Sequence, residues 1–158
     1  MLDIVSIGEI MVELYSDQPI GSASSFKKGY AGDTCNTVLM AKRLGSSCGY
    51  VSLVGEDPFA DYLLADLTNH GIDVSRVKRV QGFNGVHFLS ILPDGEREFV
   101  YYRSGSAAST IRYDDIDQDY IKTANILHIS SILQATSPVA RDTVLESAKF
   151  ASRNGVLV

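Results

Sequence analysis

The sequence lacks the features that mark several classes of protein. It has no tryptophan and only two cysteines, Cys35 and Cys48, among 158 residues. Their spacing matches no metal site, and we expect both to be reduced thiols. No apolar run approaches the roughly 20 residues that cross a bilayer, and the first residues lack the basic start and apolar run of a signal peptide. We therefore expect a cytoplasmic protein that does not bind membranes.

Positive charge is also scarce. Lysine and arginine number 14 against 19 aspartates and glutamates, which gives a formal net charge of -5. The absence of a dense basic patch argues against nucleic acid as a partner. We find no Ser-His-Asp set, Walker loop or metal triad. What is present, 45% hydrophobic and 21% charged residues, is typical of one globular domain.

Apolar runs and helical patterns alternate along the first half of the chain. Asp3–Ile7 and Cys48–Val54 have the composition of buried strands. A helical pattern follows each of them, and the two patterns end at Gly45 and Gly71. Strand, helix, strand and helix at this spacing predict an α/β fold with a parallel sheet and crossover helices.

The first helix follows a turn rich in glycine, residues 29–33. Asp33 or Thr34 can cap this helix by accepting a hydrogen bond from a free backbone N–H. The helical spacing of its apolar residues predicts a buried stripe of Val38, Ala41 and Leu44. A glycine turn that runs into a helix N-terminus brings backbone N–H groups close to a polar ligand. A plain tight turn explains the same residues, so both interpretations stand at this point.

A hairpin signal interrupts the alternation at Pro93-Asp94-Gly95. Two extended runs, Val86–Leu92 and Glu98–Arg103, flank this turn. We expect them to form a small second β layer together with Ile10–Tyr15 and the run up to Lys28. This layer would be a lid, inserted as residues 10–30 and 83–106 in the α/β core and covering one of its edges.

The length of the hairpin loop decides which side chains share a face of the lid. A three-residue loop pairs His87 with Tyr101 and puts both on the face of Arg103. A two-residue loop puts His87 on the opposite face. Arg103 can hold a carboxylate or phosphate through two parallel hydrogen bonds, although a solvated flap with an incidental arginine is the alternative. Glu13, on the first lid segment, can accept hydrogen bonds from hydroxyl groups or lie as a solvent-facing charge.

The alternation resumes in the last third of the chain. A short helix, capped by Asp114 or Asp115, leads to a buried strand at Ile126–Ile129. Ser137 and the proline after it open a fourth helix. The last three residues are apolar and start a new strand, so we expect the sequence to be part of a longer chain.

Two short motifs carry a resemblance to a known family. The motif G-D-x-x-N at positions 32–36, followed by A-x-x-L-G at positions 41–45, resembles the first signature of the ribokinase-like sugar kinases, the phosphofructokinase B family. The resemblance implies a three-layer α/β/α core with a small β-sheet lid. It also implies that Gly32, Asp33 and Asn36 contact the hydroxyl groups of a sugar.

The lid sequence is similar to one branch of this family. EREFVYYRSGSAAS at positions 96–109 resembles the 2-keto-3-deoxygluconate kinases. The resemblance implies that Tyr101 and Arg103 bind the substrate, with Arg103 on its carboxylate, and that a later loop makes a backbone contact at Ile132. His87 stands where the branch often has a tyrosine. The residues expected to bind substrate are Glu13, Gly32, Asp33, Asn36, His87, Tyr101, Arg103 and Ile132.

The resemblance also implies an activity. Such enzymes transfer the γ-phosphoryl group of ATP, with Mg²⁺, to a hydroxyl of a small acidic keto-sugar. The catalytic base and most of the ATP and Mg²⁺ site are expected beyond residue 158, so this chain is expected to contain no catalytic residue and to be inactive alone. A homodimer formed through the lid is also expected. The alternatives are a kinase for a neutral sugar such as fructose or ribose, and a non-catalytic sugar-binding or assembly module.

Overall fold

The computed structural model describes residues 1–93 and 95–158 as two β-sheets flanked by helices. The strands are β1 (Leu2–Ile7), β2 (Met11–Ser16), β3 (Lys27–Ala31), β4 (Cys48–Gly55), β5 (Asp73–Val80), β6 (Val86–Ile91), β7 (Arg97–Tyr102) and β8 (Ala124–His128). The α-helices are α1 (Asp33–Arg43), α2 (Ala60–Asn69), α3 (Gln118–Lys122), α4 (Ser131–Gln134) and α5 (Pro138–Arg153).

The core sheet is parallel and has the strand order β5-β4-β1-β8. Apolar side chains of α1 and α2 pack in one cluster, and those of α3 and α5 pack in another. Strand β4 is buried along its whole length and contributes to both clusters: Tyr50 and Val54 pack with α1 and α2, and Val51 and Leu53 pack with α5. The sheet is therefore covered on both faces, and the predicted three-layer α/β/α core is confirmed.

The second sheet has the order β3-β2-β6-β7 and forms the predicted lid. Strands β2 and β6 are parallel, whereas β3 and β7 run antiparallel to their neighbours. His87 pairs with Tyr101, and the Leu92 N–H donates to the Glu96 carbonyl at 2.9 Å, as a three-residue loop requires. Asp94, the middle residue of that loop, lies outside the described residues. The register confirms that His87, Tyr101 and Arg103 lie on one face.

The start of α1 differs from the expectation. The segment predicted as a turn is strand β3 as far as Ala31, because its backbone pairs with β2. Gly32 is the N-cap, and neither Asp33 nor Thr34 caps the helix, since both already lie within it. The predicted stripe is wrong at Leu44, which is 80% exposed because it follows the last helical residue. The helix is buried instead through Thr34, Cys35, Val38 and Leu39.

Two further features were not predicted from the sequence. Strand β5 has the sequence DVSRVKRV, which lacks a clear apolar alternation, but it pairs with β4 at the edge of the core sheet. The cap of α3 is Asp117, which accepts a hydrogen bond from the Tyr120 N–H at 3.0 Å. Asp114 and Asp115 lie instead in a short 3₁₀ turn before this helix.

The expected cap of α5 is confirmed. Ser137 caps α5 by accepting a hydrogen bond from the Ala140 N–H at 3.0 Å. Both cysteines are free and buried, and burial raises the pKa of Cys35 to about 12. Leu157 forms a parallel bridge with Ile126 of β8. Within residues 1–93 and 95–158, none of the helices has the length and apolar character needed to cross a membrane.

Candidate functional site

A cavity of about 670 Å³ lies between the lid, the start of α1 and the start of α4. All eight residues expected to bind substrate line it: Glu13 on β2, Gly32, Asp33 and Asn36 at the start of α1, His87 on β6, Tyr101 and Arg103 on and after β7, and Ile132 on α4. Sheet pairing and helix placement thus bring together residues that are far apart in sequence. Their contact with a ligand stays a prediction.

Close packing of main chain places the start of α1 at this cavity. A Cβ atom on Gly32 would lie 2.2 Å from the carbonyl oxygen of Glu9, so only glycine fits here. No side chain of the described residues caps the helix, so the first-turn N–H groups have no such partner. Asp33 and Asn36 project into the cavity from this turn. The arrangement offers N–H donors and two polar side chains to a polyhydroxylated ligand.

His87 and Glu13 form a pair on the lid wall of the cavity. Glu13 faces His87 across the β2–β6 pairing, and its Oε2 lies 2.9 Å from the His87 Nε2. His87 is only 5% exposed and meets the rings of Phe99 and Tyr101 edge-on. The imidazole therefore uses Nε2 to hold the Glu13 carboxylate, which remains available to the cavity.

An aromatic surface continues this wall along β7. The rings of Phe99 and Tyr101 are stacked, with centroids 6.1 Å apart and an angle of 10° between their planes. Tyr101 is half-exposed and carries a hydroxyl at the end of an apolar ring. Such a surface can pack against the C–H groups of a sugar while the hydroxyl forms a hydrogen bond.

Arg103 has a partner that sequence reasoning missed. Its Nη2 lies 2.5 Å from Oε2 of Glu9, a residue that follows β1 and is 3% exposed. The other carboxylate oxygen of Glu9 accepts a hydrogen bond from Ser106 Oγ at 2.6 Å. Burial raises the pKa of Glu9, against the opposing effects of Ser106 and Arg103. The position of Glu9 at the end of a central parallel strand is the signal that would have identified it.

The other cavity residues that sequence reasoning missed are mainly apolar, with one additional cation. They are Met11, Ala31, Leu89, Arg97 and Phe99. Their alternation along the lid strands, on the face of His87 and Tyr101, was available from the sequence once the register was fixed. Arg97 adds positive charge to the cavity, which attracts an anionic ligand.

The remaining histidines lie outside this cavity. His128 Nδ1 is 2.9 Å from Ser6 Oγ, and burial lowers its pKa. His70 contacts Asp66 at the end of α2. Among the residues that the structure describes, no group of three or more acidic, histidine or cysteine side chains could hold a metal ion.

Proteins with curated names are similar to this chain over most of its length. A 2-dehydro-3-deoxygluconokinase from Bacillus subtilis is 37% identical over 145 aligned positions, and the alignment covers 89% of this chain and 45% of that protein. A 5-dehydro-2-deoxygluconokinase from Clostridium beijerinckii is 32% identical over 162 aligned positions including gaps, and the alignment covers 99% of this chain and 48% of the relative. The chain therefore spans about half the length of these curated relatives.

Solved structures show the same fold. A PfkB protein from Polaromonas sp. JS666 superposes with a TM-score of 0.93 at 30% identity, covering 98% of this chain and 53% of that one. A 2-dehydro-3-deoxygluconokinase from Thermotoga maritima gives a TM-score of 0.91 at 25% identity, covering 99% and 49% of the two chains. The pfkB carbohydrate kinase family matches residues 1–158 throughout. The chain belongs to the pfkB family of carbohydrate kinases.

Proposed function

We propose that the protein phosphorylates a hydroxyl of a small acidic keto-sugar, such as 2-dehydro-3-deoxygluconate, and that this chain forms the sugar-binding part of its site. The observation that carries the proposal is the place of Arg103 in the cavity, beside Tyr101 on the lid wall. A guanidinium at this place is suited to bind a carboxylate. The names of the relatives, both kinases of keto-sugar acids, support the same substrate class.

Each cavity residue then has a role in holding the sugar. Arg103 binds the carboxylate, and Tyr101 packs against the carbon chain. Asp33, Asn36 and the main chain at Gly32 bind hydroxyl groups from one side of the cavity, and Glu13, held by His87, binds one from the lid. The main chain at Ile132 contacts the substrate from α4. We assign Asp33 to sugar binding and not to proton abstraction, since it lies in the first signature of the family.

The family implies ATP with Mg²⁺ as the phosphoryl donor. We propose that most of the ATP and Mg²⁺ site is supplied by later residues of the full-length protein and not by the residues of this chain. Their contribution is to bind and orient the sugar, because positioning and charge stabilisation dominate this class of reaction.

We also propose that the protein forms a homodimer through the outer face of the lid. Leu14, Phe88 and Tyr102 line an apolar groove on this face, opposite the sugar cavity. Every residue of β7 is exposed, and Tyr102 is 62% exposed. A contiguous apolar patch on a sheet of this size marks a surface that a partner covers.

A kinase for a neutral sugar is the second candidate function. The ion pair between Arg103 and Glu9 neutralises the guanidinium and thereby weakens the argument for an anionic substrate. A substrate panel separates the two candidates: phosphoryl transfer from ATP by the full-length protein, measured with 2-dehydro-3-deoxygluconate, 5-dehydro-2-deoxygluconate, fructose and ribose. We expect kcat/KM to be highest for one of the two acids. A higher value for fructose or ribose would overturn the proposal.

A further inference from the structure

The pair formed by Glu9 and Arg103 is one of the most buried charged contacts at the cavity. The Arg103 side chain is 19% exposed and that of Glu9 is 3% exposed. Nη2 of Arg103 lies 2.5 Å from Oε2 of Glu9. Nε and Nη2 of Arg103 are buried without a hydrogen-bond partner among the described residues. The guanidinium is thus held by charge, with hydrogen-bonding capacity left unused.

Ser106 closes this arrangement into a small network. Its hydroxyl donates to Oε1 of Glu9 at 2.6 Å, and its backbone N–H donates to the carbonyl of Arg103 at 3.0 Å. Ser106 itself is fully buried. The same residue therefore fixes the carboxylate of Glu9 and the main chain from which the Arg103 side chain extends.

Gly85 has no side chain, and this leaves room for the side chains of Glu9 and Arg103 to meet. A Cβ atom on Gly85 would lie 2.7 Å from Oε1 of Glu9 and 3.2 Å from Cβ of Arg103. Gly85 directly precedes β6, and its carbonyl accepts a hydrogen bond from the Val12 N–H of β2 at 2.9 Å. The lid strands thus form a closely packed socket around the ion pair.

An arginine side chain that is already fixed in one conformation binds a ligand more tightly than a free one. The side chain has four rotatable bonds, and ordering a free arginine corresponds to roughly a thirtyfold loss of affinity. Glu9 orders the side chain before a ligand arrives. Its negative charge also repels an anion, so ordering and repulsion act in opposite directions on an acidic substrate.

We propose that ordering dominates, and that Glu9 is a positioning residue which holds the Arg103 guanidinium at the cavity wall in the orientation that binds the substrate carboxylate. This inference rests on the proposed function, because it requires an acidic substrate bound by Arg103. Glu9 is not expected to contact the substrate itself.

The test uses the full-length protein and its KM and kcat for 2-dehydro-3-deoxygluconate. Glu9→Ala should raise KM roughly tenfold, with kcat changed by less than about twofold, because ordering is lost and the chemistry is not touched. Glu9→Gln should raise KM by an intermediate amount, about threefold, since the amide keeps the side-chain volume and a polar oxygen beside the guanidinium but lacks the negative charge. An unchanged or lowered KM in Glu9→Ala would show that repulsion dominates and would overturn the proposal.

A double-mutant cycle separates positioning from a merely structural role. In an Arg103→Ala background, Glu9→Ala should change KM by less than about twofold, because there is no guanidinium left to position. A rise as large as that seen with Arg103 present would contradict the inference. If Glu9→Ala does not fold, Glu9→Gln and Ser106→Ala replace it in the same cycle. Failure of both to raise KM would count against the proposal equally.

A matched control breaks an ion pair away from the cavity. Asp117 and Arg76 are 2.7 Å apart, so Asp117→Ala should lower stability and leave KM unchanged.

The Arg103→Ala single variant distinguishes the proposed carboxylate-binding role of Arg103 from the proposed positioning role of Glu9. If it leaves KM for the acid unchanged, the carboxylate role in the proposed function fails together with this inference. If it raises KM and the Glu9 variants do not, only the positioning role is wrong.

Discussion

Replacing Gly32 with alanine should damage the sugar site through the main chain. A Cβ atom at this position would lie 2.2 Å from the carbonyl oxygen of Glu9, which belongs to the backbone and cannot rotate away. The segment after β1 and the start of α1 would have to separate by about 1 Å to reach ordinary contact. We expect this overpacking to lower the free energy of unfolding by about 1–3 kcal/mol.

The same displacement should also affect substrate binding. A shift of this size at a binding group can lower activity by roughly a hundredfold, because hydrogen bonds to the sugar lose their geometry. The assay is chemical denaturation and steady-state kinetics of the full-length protein. Gly21→Ala is the matched control, since a Cβ atom there has no neighbour within 4 Å. If the two alanine variants had the same stability and the same kcat/KM, the close approach that we describe at Gly32 would be wrong.

Three other predictions concern association, pH and the isolated chain. Phe88→Asp should convert the full-length dimer to monomers in sedimentation at micromolar concentration, because it places a charge in the apolar groove of the lid; a wild-type monomer would refute dimerisation. Because the pKa of Glu9 is raised in the folded state, its contribution to stability should fall as pH rises from its ordinary pKa through the raised value. Glu9→Gln should remove this part of the pH dependence, and identical urea midpoints across that range for both proteins would contradict it. Residues 1–158 alone should show no turnover and no micromolar binding of Mg-ATP in calorimetric titration, and turnover would show that Asp33 was assigned wrongly.

Much of the core could be predicted because its signals are local. Cys48–Val54 is a short, mainly apolar run, and β4 is buried along its length on both faces of the sheet. Ser137 followed by proline indicates a helix start through hydrogen bonds made within four residues. Gly95, with a φ of 87°, fits the left-handed position that sets the hairpin register. These signals depend on neighbouring residues, so the rest of the fold was not needed to interpret them.

The features that were missed depend on distant parts of the chain. Strand β5 is half polar because it lies at a sheet edge, where one side pairs with β4 and charged side chains reach solvent. Glu9 gains its importance only when β7 brings Arg103 beside it, a contact between residues far apart in sequence. Leu44 has the right helical spacing, but the helix ends before it. Tertiary context decides each of these cases.

The specificity ratio of the full-length protein tests the central claim most directly. This ratio is kcat/KM for 2-dehydro-3-deoxygluconate divided by kcat/KM for fructose, measured in the wild type and in Arg103→Ala. A hydrogen bond between charged groups contributes about 1.5–3 kcal/mol. The substitution should therefore lower the ratio by roughly 10- to 150-fold, because kcat/KM falls for the acid and not for fructose. If both sugars lost activity equally, or the wild type preferred fructose, Arg103 would not be the group that recognises a substrate carboxylate.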